Sequence, residues 1–295
     1  MAQRQGWVIA AIIFACFIFF IFAASLFISS FNTSIDSDYS SGGSKIALIE
    51  VEGVIYSPKE IVRQLDKYSG NKSVKGIVLR IDSPGGGAAA SQEVYEKVRR
   101  VRDSGLPVVA SMGSVAASGG YYIALGADTI FASPGTTTGS IGVIAEIPNT
   151  KELFDKIGIS FITIKSGKFK DTGNPHRKMT EEEKRYLQNL VDNNYKQFID
   201  AVAKERNMPL SKVRKYADGR VFTGLQALEY GLVDTLGIYE DAINFAAHMA
   251  GISGEPKTIK EKHRKMTWLD LMFEDVSDLL HLSEQWPRVK YQLVY

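Results

Sequence analysis

Two serines lie in the segment GSVAASGGYYIA, residues 113–124, which contains adjacent glycines and no charged residue, histidine or cysteine. A serine hydroxyl becomes nucleophilic only when a base takes its proton, and the oxyanion that then forms needs fixed N–H donors. Ser118 precedes Gly119 and Gly120, where a helix could begin and present unpaired N–H groups to a substrate carbonyl. The segment therefore predicts either a tight turn into a helix or a serine nucleophile.

A second glycine-rich segment, DSPGGG at residues 82–87, follows an apolar predicted strand. Its backbone N–H groups could converge with those at Gly119 on one carbonyl oxygen. Both segments are also typical of ordinary strand-to-helix turns, and spacing alone does not decide between the two interpretations.

The base that would activate a serine is not evident from spacing. The histidines occupy loop, helix and tail positions without a catalytic pattern, and no G-x-S-x-G, H-E-x-x-H, C-x-x-C or Walker A motif occurs. A lysine can serve instead, provided that burial lowers its pKa. Lys168 and Lys170 would share one side of an extended chain, so the choice among the candidate lysines stays open. The histidines are His176, His248, His263 and His281, and the candidate lysines are Lys165, Lys168 and Lys170.

The composition is that of an ordinary globular chain, with 295 residues, 45% hydrophobic and 23% charged. A net charge of +2 gives no electrostatic reason to expect nucleic acid as a partner. The single cysteine, Cys16, excludes an intrachain disulfide and a cysteine-rich metal site.

The N-terminal segment predicts a membrane anchor. Residues 7–28 carry no charge, and a helix of that length reaches about 33 Å, enough to cross a hydrocarbon core of about 30 Å. A signal peptide cleaved after Ala23-Ala24 and a lipid-modified Cys16 are the alternatives.

The charges flanking this segment predict its orientation. Arg4 precedes it, and two aspartates follow it in a serine- and glycine-rich tether at residues 29–44. The excess of positive charge on the N-terminal side predicts that residues 1–6 are cytoplasmic and that the folded domain is extracytoplasmic. We therefore expect a single-pass protein of the cell membrane.

Apolar runs alternate with helical periodicity from residue 45 to about residue 167. Such alternation predicts a mixed α/β fold with parallel strands and crossover helices. From Thr180 onward the pattern is helical, and Thr180 with Glu183 forms a predicted capping box. The predicted strands cover residues 45–56, 74–87, 107–113, 127–134, 140–146 and 159–167, and the predicted helices between them cover 60–69, 91–105 and 150–158.

The folded domain is expected to span residues 45–254, followed by a charged and amphipathic tail at residues 255–295. The amphipathic part, residues 267–282, could pack as a helix, lie on a membrane surface or contact a neighbouring subunit.

Four segments together resemble the short-form bacterial signal peptide peptidases of the SppA family, which are membrane-anchored serine proteases. The resemblance covers roughly residues 45–250 and agrees with the predicted anchor. It implies a ClpP/crotonase-like fold, that is, a repeated β-β-α spiral domain with C-terminal helices, preceded by one transmembrane helix. The segments are IDSPGGG, ASMGSVAASGGYYIALGADTIFASPGTTTGSIGVI, SGKFKD and ADGRVFTGLQALEYGLVD.

The resemblance implies a Ser/Lys catalytic dyad. Ser118 matches the nucleophile, Lys170 the general base, and Ser140 the serine that orients the lysine. Neutral Lys170 would take the proton of Ser118, which attacks the peptide carbonyl, and water would later hydrolyse the acyl-enzyme.

The resemblance also assigns an oxyanion hole. Gly119 and Gly85 match its N–H donors, with Gly86 as the alternative to Gly85. No metal or organic cofactor is implied.

The family's substrates are remnant signal peptides in the membrane, so hydrophobic signal peptides and other membrane-derived peptides are the expected partners. The short-form members imply a dome of eight identical subunits, each with its own dyad, whose contacts help to build the active site. The alternatives are a related protease that cleaves other membrane proteins, an acyl-CoA enzyme of the crotonase type, and an inactive membrane-tethered scaffold.

Overall fold

The computed structural model describes residues 18–19, 43–261 and 290–292. The chain divides into two compact units, Met1–Gly43 and Ser44–Tyr295. Most of the predicted anchor and tether, and the predicted helix at residues 267–282, lie outside the described residues. Within those described, no helix is both long and apolar enough to cross a membrane.

Nine strands and eight helices follow residue 43 in the described part of the chain. The strands are β1 (Lys45–Ile55), β2 (Val74–Gly87), β3 (Val108–Ala117), β4 (Thr129–Ala132), β5 (Thr137–Gly139), β6 (Val221–Thr223), β7 (Thr235–Leu236), β8 (Lys257–Lys260) and β9 (Lys290–Gln292). The helices are α1 (Lys59–Ser69), α2 (Ala88–Asp103), α3 (Gly119–Ala124), α4 (Lys151–Lys156), α5 (Glu181–Glu205), α6 (Leu210–Val213), α7 (Gly224–Tyr230) and α8 (Tyr239–Met249).

Parallel strands β1, β2 and β3 form the centre of the sheet, whose order is β6-β5-β3-β2-β1-β8. Strand β3 has two different partners on its outer side. Its first half pairs with β4 and its second half with β5, both in parallel. The Asp82 carboxylate stabilises the transition, because it accepts the Val115 N–H at 3.0 Å. Strand β3 thus ends beside β5, and Ser118 is the residue that follows it.

Alternating side chains of the central strands form two apolar layers, as the period of two in a strand requires. Ile46 and Leu48 of β1 pack against Ala242 and Ala246 of α8. The opposite face of the sheet is covered by residues of α1, α2, α3 and α5. The larger layer includes Ile49, Leu65, Val94, Tyr121 and Phe198, all of them fully buried.

Two of the predicted strands are wrong. Residues 140–146 form no strand beyond an isolated bridge residue, and residues 159–167 form none at all. The second segment has apolar residues in a strand-like pattern, but Ile162 and Ile164 are 91% and 96% exposed. Apolar periodicity identifies a segment whose apolar side chains could be buried against another part of the protein. Here no described part of the chain packs over these side chains.

Strand β8 was not predicted, because its sequence KTIK lies in the segment assigned to the charged tail. It pairs in parallel with the start of β1, where only Ile259 is buried. A short edge strand with charged side chains gives little apolar signal.

Candidate active site

Ser118 lies at the end of β3 and is the N-cap residue of α3. Its backbone has φ 51° and ψ −113°, and its N–H donates to the Gly139 carbonyl at 2.8 Å. A positive φ is unfavourable for a serine, and such strain is concentrated at functional sites. The residue is 1% exposed, and its Oγ has no hydrogen-bond partner among the residues that the structure describes. The hydroxyl does not cap the helix, so it is available for other chemistry.

Gly119 is the first residue of α3, so the helix itself leaves its N–H unsatisfied. A Cβ atom at this position would collide with Ser91 Oγ and lie 3.1 Å from Gly86 N. At Gly120, a Cβ atom would lie 2.8 Å from the Ser83 carbonyl oxygen. Both glycines are required because the start of α3 packs directly against the end of β2.

Ser91, on α2, is a site residue that the sequence analysis missed. It is fully buried, and its Oγ has no hydrogen-bond partner in the described part of the chain. The hydroxyl occupies the space that a side chain on Gly119 would need. Ser91 follows three alanines, AAAS, and nothing in that pattern indicates a position beside the Ser118–Gly119 turn.

The predicted oxyanion glycines lie at the end of β2. Gly85 has φ 100°, and its N–H donates to Ser83 Oγ at 3.1 Å. The Ser83 hydroxyl in turn donates to the Gly53 carbonyl at 2.6 Å, which links this loop to β1. A Cβ atom on Gly86 would collide with the Ile55 carbonyl. The N–H of Gly85 is therefore engaged within the chain, while Gly86 lies in the sheet between Ile55 of β1 and Tyr291 of β9, so both glycines stay candidates for the second donor.

Strand β9 pairs with this glycine segment. Its residues run antiparallel to β2, with Gly85 opposite Gln292, Gly86 opposite Tyr291 and Gly87 opposite Lys290. The glycine edge beside the Ser118–Gly119 turn thus carries an extended backbone as an added strand.

Ser140 follows β5 as Ser118 follows β3. It also has a positive φ, 49°, and its N–H donates to the Arg220 carbonyl at 2.8 Å. Among the non-glycine residues that the structure describes, only Ser118, Ser140 and Asn207 have positive φ. The Ser118 N–H bonds to the carbonyl of Gly139, the residue directly before Ser140. The two serines with positive φ are therefore linked through the β3–β5 pair.

A cavity of about 550 Å³ opens beside Ser140. Its lining is mixed, with apolar Val143, Val191 and Tyr195 opposite the charged Asp192 and Arg214. Ser118 does not line this cavity.

Lys170 is not brought to Ser118 within the chain. It lies in an exposed arm, residues 150–175, whose ends are joined by a 2.8 Å bond from Thr150 N–H to the Pro175 carbonyl. Around Lys170 the chain forms successive turns rather than the extended structure that would align Lys168 with Lys170. The structure therefore gathers Ser118, Gly119, Gly85, Gly86 and Ser140, and leaves Lys170 apart from them.

The histidines in the described residues are not at the nucleophile. His176 stacks on Phe161 at 3.7 Å between ring centroids, inside a small aromatic cluster with Phe154. His248 is on α8, and the other two histidines are outside the described residues.

The paired tyrosines that follow Ser118 and its two glycines are packing residues. Tyr121 is fully buried and donates to the Leu232 carbonyl at 2.9 Å. Tyr122 packs against Tyr95 and Phe198. Burial raises the pKa of Tyr122 to about 12, so its phenol stays protonated near neutral pH and cannot act as a base.

No group of three or more His, Cys, Asp or Glu residues is arranged to hold a metal ion in the part of the chain that the structure describes.

Comparison with known proteins identifies the class of this site. The family model described as Peptidase family S49 matches residues 100–253, and the model described as Clp protease matches residues 48–141. Together they define a protease with a mixed α/β, ClpP-like fold.

Three relatives support the same class. A Synechocystis sp. protein, provisionally named protease slr0021, is 43% identical over 256 residues, which are 84% of this chain and 92% of the relative. An Enterococcus faecium protein, provisionally named signal peptide peptidase SppA, is 41% identical over 68% of this chain and 62% of its own length. The chloroplastic serine protease SPPA of Arabidopsis thaliana is 36% identical over 77% of this chain and 34% of its own.

The chain therefore belongs to peptidase family S49, and it is a serine protease of the SppA type. The resemblance inferred from the motifs is confirmed.

Proposed function

We propose that this protein is a membrane-anchored serine endopeptidase that degrades remnant signal peptides through a Ser118/Lys170 dyad. The proposal includes an anchor at residues 7–28, a catalytic domain outside the cytoplasm and assembly into a homo-oligomer. The observation that carries it is the pairing of β9 with Gly85–Gly87 beside the Ser118–Gly119 turn. At Gly85–Gly87 the strand edge pairs with one extended backbone beside a buried serine hydroxyl that has no described partner. An extended peptide substrate can pair with the same edge as β9 does.

The geometry supports the chemistry of acyl transfer at Ser118. Its Oγ makes no hydrogen bond with any described residue that would have to break before attack. The Gly119 N–H, at the positive end of α3, and the N–H of Gly85 or Gly86 would stabilise the oxyanion. The acyl-enzyme would then be hydrolysed by water that the same base activates.

The proposal requires that Lys170 reach Ser118 in the assembled protein, and here it departs from the expectation that each subunit has a dyad of its own. Two features support delivery by a second copy of the chain. The arm that carries Lys170 exposes Ile162 and Ile164, and apolar side chains presented this way are typical of a subunit contact. The cavity beside Ser140 also leaves room for a side chain to enter near the serine that would orient the lysine.

Among the lysines of this arm, Lys170 is the best candidate base. Lys165 pairs with Asp171, and Lys168 pairs with Glu182. Within the described residues, no ion pair involves Lys170. A lysine held by a carboxylate would have to leave that partner before it could reach Ser118.

The test compares the wild type with Ser118→Ala, Lys170→Ala and the matched control Lys168→Ala, all as the full chain in detergent. The substrate is a synthetic signal peptide. We expect the first two variants to lose about 1,000-fold or more of the cleavage rate, as removal of a nucleophile or its base does in other serine proteases. Lys168→Ala should keep a rate within about threefold. An active Ser118→Ala protein would reject the dyad, and an active Lys170→Ala protein would reject its base.

A mixing experiment tests how the dyad is assembled. Inactive Ser118→Ala and Lys170→Ala proteins are dissociated, mixed and reassembled. Recovery of cleavage would show that one copy supplies the serine and another the lysine, whereas no recovery would support a dyad within one copy. Cleavage of intact membrane proteins in preference to signal peptides would favour the alternative substrate class.

The location of the domain is tested separately, by adding a protease to intact cells and to permeabilised cells. We expect digestion of the folded domain in a bacterial cell with a permeabilised outer layer and an intact inner membrane. Protection until the inner membrane is broken would reject the proposed orientation.

A further inference from the structure

The segment around Lys170 has little secondary structure to hold it. It is a series of turns closed by local backbone bonds, such as Lys170 N–H to the Gly167 carbonyl at 3.2 Å and Asn174 N–H to the Asp171 carbonyl at 3.1 Å. These bonds shape the turns but do not attach them to the body of the domain. The attachment comes from side chains on either side of Lys170.

Arg177 makes the main attachment. Its guanidinium donates from Nε to Asp171 Oδ2 at 2.8 Å and from Nη2 to the Asp171 carbonyl at 3.1 Å. The same group donates from Nη1 to Glu183 Oε2 at 2.8 Å and from Nη2 to Glu183 Oε1. One planar side chain thus joins the residue next to Lys170 to the first turn of α5. Only arginine has the fixed set of donors that such a double bridge requires.

The Glu183 end of this bridge is anchored firmly. Glu183 is 3% exposed and completes the predicted capping box, accepting the Thr180 N–H at 2.9 Å while Thr180 Oγ1 accepts the Glu183 N–H at 3.2 Å. Hydrogen bonds from Arg177 lower the pKa of Glu183 to about 2, so it stays ionised. Farther along α5, Phe198 and Val202 are buried in the core. The helix therefore provides a rigid point of attachment.

At the Asp171 end of the bridge, the carboxylate is bound by cations other than Lys170. Lys165 Nζ donates to Asp171 Oδ1 at 2.5 Å, so Lys165 and Arg177 together bind both carboxylate oxygens. This carboxylate adjoins Lys170 in sequence, yet its described partners are the two other cations. The arrangement fixes the backbone at position 171 without placing a carboxylate on the Lys170 ammonium.

We infer that Arg177 is the positioning residue for Lys170, holding the turn that carries the base against the N-terminus of α5. The inference rests on the proposed function, because it assigns Arg177 a role through Lys170. It concerns geometry at the base and not stability alone. The two ends of the bridge make the distinction testable, since Glu183 belongs to a helix cap and Asp171 does not.

The experiment measures kcat, KM and melting temperature for Arg177→Gln, Arg177→Lys and Asp171→Asn in the full chain. Arg206→Gln is the matched control. Arg206 is at the opposite end of α5, where it binds Asp234 at 2.6 and 3.0 Å and the Gly231 carbonyl at 2.9 Å.

Misplacement of a catalytic group by about 1 Å can cost about 100-fold in rate. We therefore expect Arg177→Gln to lower kcat by about 10- to 100-fold with KM changed less than about threefold. Arg177→Lys keeps the charge but cannot bridge both carboxylates, so it should recover only part of the loss. Asp171→Asn should lower kcat and should lower the melting temperature less than Arg206→Gln does, because Asp171 belongs to no helix cap. Arg206→Gln should lower the melting temperature and leave kcat within about twofold.

A double-mutant cycle with Lys170→Ala tests whether Arg177 acts through the base. A peptide with an activated ester at the cleaved bond keeps residual turnover measurable. In the Lys170→Ala background, Arg177→Gln should have no further effect on kcat, since the group that it positions is gone.

Two results would overturn the inference. One is wild-type kcat in a folded Arg177→Gln protein, or in Asp171→Asn should Arg177→Gln not fold. The other is an equal loss on replacing Arg177 whether or not Lys170 is present. Failure of the proposed function has a different signature, because Ser118→Ala or Lys170→Ala would then retain full activity in the same assay.

Discussion

Ser118 and Lys170 are held in place by different kinds of structure. Ser118 leaves a central strand, is buried, and is surrounded by backbone atoms of β2, β5 and α3. Lys170 lies in an exposed arm whose link to the domain consists of ion pairs. Close packing tolerates changes of a few tenths of an ångström, whereas ion pairs at a surface tolerate considerable rearrangement. The position of Ser118 is thus fixed by close packing, whereas the position of Lys170 depends on the ion pairs of the arm.

The same substitution in the two regions gives the sharpest contrast. Gly119→Ala forces a methyl group into Ser91 Oγ, whereas at Gly167 a Cβ atom meets nothing within 4 Å. Because the displaced backbone carries the proposed oxyanion donor, we expect Gly119→Ala to lower kcat by about 100-fold or more. Gly167→Ala should stay within about threefold of the wild type.

The measurement is peptide cleavage, with circular dichroism to confirm folding. Adding Ser91→Gly to Gly119→Ala removes the colliding hydroxyl and should restore part of the activity. Equal activities for Gly119→Ala and Gly167→Ala would show that the close packing around Gly119 matters no more for activity than the open surroundings of Gly167.

The pH dependence of stability probes the attachment of the arm. Glu183 has a pKa of about 2 in the folded chain against an ordinary value of 4.5, chiefly through its hydrogen bonds from Arg177. A lowered folded pKa contributes stability above the unfolded pKa, and the contribution is lost as pH falls from about 4.5 toward about 2. We expect the free energy of unfolding to fall by up to about 3 kcal/mol more in the wild type than in Glu183→Gln across that range.

Urea titrations at several pH values measure this difference. The Asp171 pKa is lowered as well, by Arg177 and Lys165, and contributes in the same direction. If the free energy of unfolding depends on pH in the same way in the wild type and in Glu183→Gln, the Glu183 carboxylate is not the cause of that dependence.

The exposed apolar face of the arm should matter for assembly and not for folding. Ile162→Ser and Ile164→Ser replace side chains that are almost fully exposed, so the melting temperature of the dissociated chain should hardly change. Activity should fall about tenfold if this face buries roughly one large side chain against another copy. Light scattering after gel filtration measures the mass of the assembly.

The control for the arm is Ile238→Ser, at an exposed apolar position before α8. Equal mass and activity for all three variants would mean that the arm is not a subunit contact.

The smallest effect is expected at the ion pair between Lys151 and Asp155 in α4. Both groups are exposed, and the spacing is i,i+4. We expect Lys151→Ala to change the free energy of unfolding by less than about 0.5 kcal/mol. A loss of several times that value, measured by urea denaturation, would show that the arm is held more tightly than its exposure indicates.

The central sheet and the position of Ser118 could be predicted from sequence because local signals and burial agree there. Apolar runs gave β1 and β2, and the small residues SGG marked the start of α3. The capping box at Thr180 and Glu183 is also confirmed. Each of these features depends on neighbours within a few positions or on burial of the segment itself.

Other features depend on contacts between distant positions, and the sequence could not show them. Nothing around Ser91 or Ser83 indicates that their hydroxyls meet the nucleophile turn and the glycine loop. The bridge from Arg177 to Glu183 extends a predicted cap, but its second contact at Asp171 requires the turns around Lys170 to be known. The strand predicted at residues 159–167 failed because its apolar pattern has no covering surface in the described chain. The catalytic roles of Ser118, Lys170, Ser140 and the oxyanion glycines all remain predictions.

The pairing of β9 with Gly85–Gly87 has a kinetic consequence. A peptide that binds along the same edge must exchange with a strand that is already there, and that strand is tethered at a high effective concentration. The apparent affinity for substrate then falls in proportion to the fraction of time that the edge is vacant. Long extended substrates, which form more backbone bonds, would compete better than short ones. When β9 pairs again with this edge, it would also displace cleaved products. Peptides too short to compete with β9 would be released, so β9 would set a minimum length for the peptides that stay bound.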